Sequence, residues 1–316
     1  MAHFFHAVGV FFHHLAAVRW DFLGYAIACH LVKLVFRAGA WRAIINAAYP
    51  DDRLKFRHAL GAYVAGVGVN SIVPARGGDV VKLYLVKHRL REANYATLTP
   101  TLIVETLFDF VTAGVLIAWA LSTGILPTHQ LYSRIPTVDW KFFLRHDRFT
   151  EIGLAVLLVA AIVGFFWLRR RVDDFRTRVR QGFAILGDRP RFLRSVIVPQ
   201  SISWLFRIAS LFFFLKAFGV TANVHNALIA QVVDSLATLF PATPGGAGTK
   251  QGLTEFLFRG RGVSQTLLLA FSVGMNIAIV VVNLLIGLIA IGLMAKTLSF
   301  KRLRHASQAE EQPAGP

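Results

Sequence analysis

Apolar segments of membrane-spanning length recur along the whole chain and constrain its fold more than any other feature. A helix needs about 20 apolar residues to cross the hydrocarbon core of a bilayer. Segments of this kind occupy five ranges, 21–40, 99–123, 151–168, 195–218 and 265–295. Only 16% of the residues are charged, whereas a soluble domain carries about a quarter. The sequence therefore predicts an all-α multispanning membrane protein.

The two ends of the chain differ from the predicted membrane domain, which covers residues 21–304. Residues 1–20 are apolar but carry four histidines, a pattern that fits a short span or a helix lying in the membrane interface. This stretch lacks a basic start and a small-residue cleavage site, so we expect no cleavable signal peptide. Residues 305–316 are polar and contain proline, which predicts a disordered tail.

The charge of the chain orients it in the membrane. The formal net charge is +17, and cytoplasmic loops of membrane proteins collect Lys and Arg. The basic blocks 169–194 and 296–304 therefore predict a cytoplasmic C-terminus, with loop 124–150 outside and segments 75–98 and 41–57 inside. No nucleic-acid reader module accompanies the charge, so we expect no nucleic-acid partner. The Arg-rich, Lys-poor composition favours a bacterial source, and hence the inner membrane.

Two shorter apolar stretches, 58–74 and 225–241, each end in a cluster of proline and glycine. In the orientation above, each stretch begins and ends on the same side of the membrane. This predicts re-entrant hairpins, although two full crossings around one misplaced loop would fit the same pattern. Broken backbone at membrane depth is tolerated only where protein or water satisfies its polar groups.

The two halves of the chain repeat the same order of motifs. The stretch VPARGGDVVKLYL, from Val73, is similar to FPATPGGAGTKQGLTEFL, from Phe240. Their glycine pairs, Gly77-Gly78 and Gly245-Gly246, are about 168 residues apart. Upstream of these stretches, Arg37 in LVFRAG corresponds to Arg207 in WLFRIAS. Because the Arg-bearing spans run in opposite directions, the pattern predicts two repeats of inverted topology, each with a broken hairpin. The predicted parts are repeat one at 21–123, a linking span at 151–168 and repeat two at 195–295.

Paired Gly/Pro-interrupted segments indicate the substrate site of transporters built from inverted repeats. Arginine binds phosphate bidentately, glycine allows close backbone approach, and the amides of a restarting helix attract anions. The candidates for binding a lipid headgroup are Arg37, Asn70, Pro74, Arg76, Gly77, Gly78, Asp79, Lys82, Arg207, Pro244, Gly245, Gly246, Gly248, Thr249, Lys250 and Gln251. The candidates for coupling to charge movement are Glu105, Asp109 and Asp234.

A structural role for these charges is the alternative. Ionisable residues inside spans are functional candidates by default, but they also neutralise each other as buried ion pairs. Lys33 and Arg37, four residues apart, could extend to the cytoplasmic interface instead. We expect no catalytic residue, because Walker A, G-x-S-x-G and H-E-x-x-H motifs are missing. A single cysteine excludes an internal disulfide or a Cys-based metal site, and we expect no metal or cofactor.

Three motifs carry a resemblance to a known family. NSIVPARGGDVVKLYLVKHR (Asn70–Arg89), VETLFDF (Val104–Phe110) and PATPGGAGTKQG resemble elements of the lysylphosphatidylglycerol synthase transmembrane-region family, the flippase-like membrane proteins. The similarity spans most of residues 20–295. Two positions depart from the family pattern: Thr106 stands where an Arg is usual, and Gln251 where a Glu is common.

The resemblance implies a lipid translocase that moves an anionic phospholipid or a polyprenyl-linked headgroup between leaflets. Members joined to a soluble synthase domain attach amino acids to phosphatidylglycerol, and here only a short tail follows the last span, so we expect that activity to be absent. A membrane glycosyltransferase that uses a polyprenyl-phosphate sugar is the second hypothesis. A non-transporting partner of a separate lipid-modifying synthase is the third. The expected partners are thus the lipid, such a synthase and further copies of the chain in a homo-oligomer.

Overall fold

The chain is helical throughout the parts that its computed structural model describes, which are residues 17–73, 76–125, 172–239, 248–259 and 262–310. Side chains are described there except at 172–175, 238–239 and 296–310. The predicted all-α class is confirmed for these residues. The predicted linking span 151–168 and all but the last few residues of segment 1–20 lie outside the described residues.

Nine helices follow one another along the described ranges. They are α1 (Trp20–Ala48), α2 (Phe56–Asn70), α3 (Gly77–Lys87), α4 (Tyr95–Ser122), α5 (Val172–Gly182), α6 (Arg189–Ala217), α7 (Val224–Leu239), α8 (Thr249–Phe258) and α9 (Gln265–Glu310). A short 3₁₀ turn, Ala184–Gly187, precedes α6, and a π turn at Leu193–Ile197 lies within it.

Four of these helices are long and apolar enough to cross a membrane. They are α1, α4, α6 and the part of α9 from Gln265 to Ala295, which has the highest mean hydropathy of the four, 2.9. They coincide with four of the predicted spans, 21–40, 99–123, 195–218 and 265–295. The chain is therefore a membrane protein with at least these four spanning helices.

Two helices run further than the sequence predicts. The loop expected at 41–57 begins late, because α1 continues to Ala48 and ends just before Pro50, which disfavours helix in the residue before it. At the other end, α9 continues to Glu310. The first half of the predicted disordered tail, HASQAE, is thus helical, because its alanines, glutamine and glutamate favour helix. Residues 311–316 lie outside the described residues.

The same order of helix lengths occurs twice along the chain. A long helix, two short helices and a long helix form the series α1–α4, with 29, 15, 11 and 28 residues. The series α6–α9 repeats it with 29, 16, 10 and 46 residues. In each series the Pro/Gly segment of the sequence lies between the two short helices. The described residues therefore contain two matching sets of four helices.

Helices α1 and α6 form the most extensive contact between any two elements. Near the middle of the pair, the rings of Phe36 and Phe206 stack with centroids 5.9 Å apart and planes 16° apart. Further along, the hydroxyl of Ser210 donates to the carbonyl of Ala26 at 2.8 Å. The two Arg-bearing helices thus form the centre of the molecule, because the residue before each arginine contacts its counterpart.

Helices α2 and α9 approach each other so closely that glycine is required on both. A Cβ atom on Gly68 would lie 2.8 Å from the Cα of Gly287 and 2.8 Å from the carbonyl oxygen of Asn283. Close approach of this kind drives helix association in membranes, where the hydrophobic effect does not act between helices. The α2–α9 contact therefore joins the first pair of short helices, α2 and α3, which we call the first hairpin, to the last long helix.

A buried polar chain reinforces this contact. The Asn283 side chain on α9 donates to the hydroxyl of Ser71 at 3.3 Å. This fixes the amide so that its oxygen faces His30 Nε2 on α1 at 2.7 Å. The His30 ring therefore donates through Nε2, and hydrogen bonds join α1 and α9 to Ser71 at the end of α2.

We predict that Gly287→Ala lowers the stability of the protein, because the added methyl group would push the backbones of α2 and α9 apart. Overpacking of this kind costs about 1–3 kcal/mol. The control is Gly292→Ala on the same helix, where an added Cβ would meet nothing within 4 Å. Apparent melting temperatures in detergent measure both, and equal melting temperatures for the two variants would contradict the predicted contact.

Candidate functional site

One arginine and two carboxylates form a closed cluster between α1 and α4. Arg37 Nη2 donates to Glu105 Oε1 and to Asp109 Oδ2, each at 2.5 Å. Arg37 Nη1 donates to Asp109 Oδ1 at 3.1 Å, which makes the pairing with Asp109 bidentate. Glu105 and Asp109 lie four residues apart and so share one face of α4. We call these three residues the Arg37 cluster.

Tyr63 of α2 joins the first hairpin to this cluster. Arg37 Nε donates to the Tyr63 hydroxyl oxygen at 2.6 Å, and the hydroxyl donates to Glu105 Oε1 at 2.9 Å. The face of the Tyr63 ring lies 4.2 Å from the ammonium of Lys82 on α3. All three guanidinium nitrogens of Arg37 are thus engaged by protein groups, and the side chain of Glu105 is buried.

The first hairpin is closed by its own side chains. Asn70 at the end of α2 accepts a hydrogen bond from the Gly78 amide at 2.7 Å. Gly78 packs against the carbonyl oxygen of Gly66, which leaves no room for a Cβ. Asp79 pairs with Lys82 at 3.1 Å. The amide of Gly78, at the start of α3, is therefore already satisfied within the protein.

Arg76, at the tip of the first hairpin, takes no part in these contacts. It is exposed and adopts a left-handed backbone conformation with φ of 60°, which is uncommon for a residue with a side chain. Gly77 begins α3 directly after it, and Pro74 lies outside the described residues. The structure thus places Arg76 away from the cluster.

A second cluster lies between α6, α7 and α8. Asp234 of α7 accepts a hydrogen bond from Arg207 Nη2 at 2.5 Å and faces Lys250 Nζ at 2.6 Å. The three side chains are 17–22% exposed, so they lie partly open. We call these residues the Arg207 cluster. It combines one carboxylate with two cations, the reverse of the Arg37 cluster.

In the second pair of short helices, α7 and α8, which we call the second hairpin, a side-chain amide also bonds the start of the second helix. Gln251 Oε1 accepts a hydrogen bond from the Gly248 amide at 2.6 Å. Gly248 has φ of 84°, a conformation that favours glycine. Thr249 begins α8 and makes no ion pair. Pro244, Gly245 and Gly246 lie outside the described residues. Asn70 thus links the end of α2 to α3, whereas Gln251 caps the helix to which it belongs.

The lysines of the two hairpins occupy matching positions but have different partners. Lys82 follows Gly78 by four residues, as Lys250 follows Gly246. The Lys82 stem passes over Gly66, where any Cβ would collide with it. Asp234 stands at the position of α7 that corresponds to Gly66 of α2. Lys82 is therefore paired within its own helix, whereas Lys250 pairs with a carboxylate on α7.

Trp204 of α6 contacts both clusters. Its indole nitrogen donates to Asp109 Oδ1 at 2.9 Å. The Arg207 guanidinium lies over its ring, 5.0 Å from the centroid. One turn earlier on α6, Gln200 donates to the backbone carbonyl of Glu105 at 3.2 Å. The two clusters therefore form one continuous site across α4, α1 and α6.

Sequence reasoning found the charged residues of this site but missed its aromatic ones. Tyr63 and Trp204 hold the clusters together, and neither belonged to the predicted set. The spacing of Trp204 could have predicted its role, because it lies one helical turn before Arg207 and the face of an aromatic ring binds a cation. Tyr63 gave no signal beyond its position in a segment expected at membrane depth.

The two positions that depart from the family pattern are both satisfied locally. The Thr106 hydroxyl donates to the carbonyls of Leu102 and Ile103 on its own helix, at 3.0 and 3.1 Å. It therefore contributes nothing to the Arg37 cluster. Gln251 accepts the Gly248 amide with its side-chain oxygen, which a glutamate could also do.

Comparison with known proteins gives one family. The sequence profile described as "Lysylphosphatidylglycerol synthase TM region" matches residues 4–287. A UPF0104 membrane protein of Methanothermobacter thermautotrophicus is 23% identical over 291 residues, which cover 85% of this chain and 82% of that protein. A UPF0104 membrane protein of Methanocaldococcus jannaschii is 23% identical over 191 residues, covering 57% of this chain and 74% of that protein.

A third relative is named as an enzyme. Glycosyltransferase AglD of Haloferax volcanii is 24% identical over 258 residues, which cover 71% of this chain but only 40% of AglD. More than half of that protein is therefore unmatched. No solved structure matches this chain significantly.

We predict that Arg37→Met strongly destabilises the protein, because it leaves Glu105 and Asp109 buried without their cation. Breaking a buried ion pair from one side costs about 3–5 kcal/mol. Adding Glu105→Gln and Asp109→Asn to Arg37→Met should restore most of the loss, since no unpaired charge then remains. Heat-induced loss of monodisperse protein in detergent measures each variant.

The matched control is Arg19→Met. Arg19 pairs with Asp21 at 3.2 Å, but both side chains are more than half exposed, and pairs of this kind contribute little. A destabilisation by Arg19→Met equal to that by Arg37→Met, or no recovery in the triple variant, would show that the Arg37 cluster does not depend on charge balance.

Proposed function

The chain belongs to the lysylphosphatidylglycerol synthase transmembrane-region family, and on that premise we propose that it moves a lipid headgroup between the two leaflets without ATP hydrolysis. The observation that carries the proposal is the continuous charged site formed by the Arg37 and Arg207 clusters. Charged groups inside a membrane are costly, and they mark substrate or ion pathways. The lipid tails would stay in the bilayer while the headgroup crosses through this site.

The helix order supports an arrangement of two inverted repeats. Where equivalent residues of two repeats lie on the pseudo-two-fold axis that relates the repeats, they contact each other. The stacking of Phe36 on Phe206 fits such an axis. Contacts between the halves are also reciprocal. His30 of α1 reaches α9 in the second series, and Gln200 of α6 reaches α4 in the first. In transporters of this design the substrate site lies at the repeat interface near the midplane.

The lengths of the short helices support re-entrant hairpins. At 1.5 Å per residue, α2 and α7, with 15 and 16 residues, extend about 22–24 Å. The hydrocarbon core is about 30 Å thick. Helices α3 and α8 are shorter still. Each hairpin would therefore enter the membrane, turn at its Pro/Gly segment and leave on the side from which it came.

The hairpins and clusters together supply the proposed headgroup site. Its members remain the sequence candidates, with the glycines and prolines of the hairpin tips shaping the backbone and Arg207 and Lys250 presenting charge. Glu105, Asp109 and Asp234 would couple movement of the headgroup to a proton or cation. Each carboxylate pairs with a basic side chain, and protonation of the carboxylate would release that side chain. Passive exchange would need no such step.

The basic segments support a cytoplasmic C-terminus in the bacterial cytoplasmic membrane, because Lys and Arg collect in loops on the cytoplasmic side. Arg189, Arg191 and Arg194 at the start of α6 lie on this side in the proposed orientation, as do Arg89 and Arg91 after the first hairpin. The first hairpin would then open to the cytoplasm and the second to the outside.

A membrane glycosyltransferase that uses a polyprenyl-phosphate sugar is the second candidate, favoured by the similarity to AglD. That similarity covers less than half of AglD, so the activity in its name could depend on parts that this chain does not match. An enzyme would need a catalytic carboxylate and would release polyprenyl phosphate. A carrier would return its lipid chemically unchanged, and this difference separates the two candidates.

The hairpin proposal predicts the labelling of single cysteines introduced into a Cys29→Ser background. Cysteines at Lys55, before α2, and at Glu92, after α3, should both react with an impermeant thiol reagent from the cytoplasmic side. A cysteine at Arg76 should stay unreactive toward the same reagent applied from the outside. Rapid labelling of Arg76→Cys from the outside would mean that α2 and α3 cross the membrane fully.

The transport proposal predicts that reconstituted protein accelerates the exchange of fluorescent-tailed phosphatidylglycerol between leaflets. Dithionite quenching of the outer leaflet measures the rate. Arg207→Ala should slow exchange at least tenfold, because loss of a charge-assisted bond has an effect of about that size. Arg259→Ala is the control, since Arg259 and its partner Glu255 are both largely exposed.

Exchange no faster than in empty liposomes, for phosphatidylglycerol, lysyl-phosphatidylglycerol and a polyprenyl-phosphate sugar alike, would refute the carrier. Release of polyprenyl phosphate from the last of these would establish the enzyme instead.

A further inference from the structure

An arginine-rich segment outside the two clusters connects α5 to the start of α6. From Val172 to Arg194 the sequence has six arginines, three aspartates and no lysine. The arginines are all exposed, and they are Arg176, Arg178, Arg180, Arg189, Arg191 and Arg194. Among the residues that the structure describes, none of the six forms an ion pair. We call residues 176–194 the arginine segment.

An apolar contact anchors the middle of the arginine segment to the membrane domain. Ile185, in the 3₁₀ turn before α6, is 1% exposed. It belongs to one buried cluster with Ile44 of α1, Val104 of α4 and Val196 of α6. The exposed arginines therefore lie on either side of a buried anchor, and their backbone is held against three spanning helices.

Contacts with the helix ends place the arginine segment at one face of the membrane. The Gln181 side chain donates to the carbonyl of Ala48, the last residue of α1, at 2.7 Å. A Cβ atom on Gly182 would collide with the carbonyl oxygen of Thr97, in the first turn of α4. The segment thus lies where α1 ends, where α4 begins and where α6 begins.

The length of α6 places its first arginines level with the lipid headgroups. At 1.5 Å per residue its 29 residues extend about 43 Å, and a bilayer with its headgroups is about 40–45 Å thick. Arg189, Arg191 and Arg194 lie within the first two turns of this helix. A soluble acidic protein would have to reach between the headgroups to meet them, whereas lipid phosphates are already there.

Two exposed leucines accompany the arginines. Leu186 is 39% exposed and Leu193 is 55% exposed. Basic and large apolar side chains occur together on segments that lie in the membrane interface. The charge, the depth and the exposed leucines therefore all favour a lipid surface as the partner of the arginine segment.

We propose that the arginine segment binds the phosphates of anionic phospholipids in the leaflet at this face, at a site separate from the Arg37 and Arg207 clusters. The planar guanidinium groups bind phosphate oxygens bidentately, and Leu186 and Leu193 contact the upper parts of the acyl chains. Because the segment is anchored at Ile185, little backbone order has to be gained on binding. This site does not depend on the proposed transport.

Fluorescence quenching by spin-labelled lipids tests the proposal with the full chain in nanodiscs. Leu193→Cys in a Cys29→Ser background carries a bimane fluorophore. The quenchers are phosphatidylglycerol and phosphatidylcholine with a nitroxide near the carbonyl end of one acyl chain. We expect phosphatidylglycerol to associate at least about fivefold more strongly, the effect of one arginine near an anionic surface. Added salt should lower this preference, because it screens exposed charges.

A charge-removal variant shows whether the arginines cause the preference. It combines Arg176→Gln, Arg178→Gln, Arg180→Gln, Arg189→Gln and Arg194→Gln. Arg191 is kept, because it donates to the carbonyl of Asn46 at 3.5 Å. Its five substitutions are at exposed positions, so the variant should keep the melting temperature of the unmodified protein. The preference at Leu193 should fall close to one.

A bimane on Leu269→Cys is the matched control position. Leu269 is 46% exposed on the spanning part of α9. It lies near the other end of α6, because Phe271 of α9 contacts Phe218 directly after α6. The fluorophore there should be quenched equally by the two lipids, with or without the arginines.

Three results would overturn the proposal: equal quenching by the two lipids at Leu193, a preference that survives the charge-removal variant, or the same preference at Leu269. Quenching by neither lipid at Leu193 would also refute it, because the surface would then face water and suit a soluble acidic partner. The measurement detects no lipid movement, so its failure leaves the carrier proposal standing, and failure of the carrier leaves this site standing.

Discussion

The withdrawal of water from the membrane interior is the constraint on which the rest of this structure depends. A charge placed there must find its counter-charge within the protein or its ligand. The Arg37 cluster meets this demand with two carboxylates and a tyrosine. The Arg207 cluster meets it only in part. These groups come from six helices, α1, α2, α4, α6, α7 and α8, and Tyr63 and Trp204 bond to the carboxylates among them.

The sequence predicted those parts of the fold that depend on the composition of a single stretch of chain. Hydropathy identified α1, α4, α6 and the spanning part of α9, because the bilayer sets the length of a spanning helix. The Pro/Gly clusters of the sequence lie between the described ends of α2 and α3 and of α7 and α8. The ends of α1 and α9 were misjudged, since helix continues past the membrane wherever no proline or glycine stops it.

The site could be predicted only as a set of residues, not as a set of contacts. Arg37, Glu105, Asp109, Arg207 and Asp234 were identified because ionisable residues are rare in spans. Which carboxylate meets which arginine depends on how α1, α4, α6 and α7 pack, and no spacing along the chain contains that information. Arg37 is satisfied by protein groups, as the structural interpretation expects, whereas Arg207 uses only Nη2 among the described residues, and its functional role stays a prediction.

Gly66 and Asp234 occupy corresponding positions of α2 and α7 but are different residues. This difference has a consequence for how the protein is oriented relative to the two leaflets. In the proposed inverted arrangement, a molecule with two identical halves would look the same from either face of the membrane and would have no preferred orientation. A glycine in one half and a carboxylate in the other break that symmetry at the centre of the site. In that arrangement, this difference contributes to a polarity of the molecule relative to the two leaflets, although the order of helix lengths in its halves is alike.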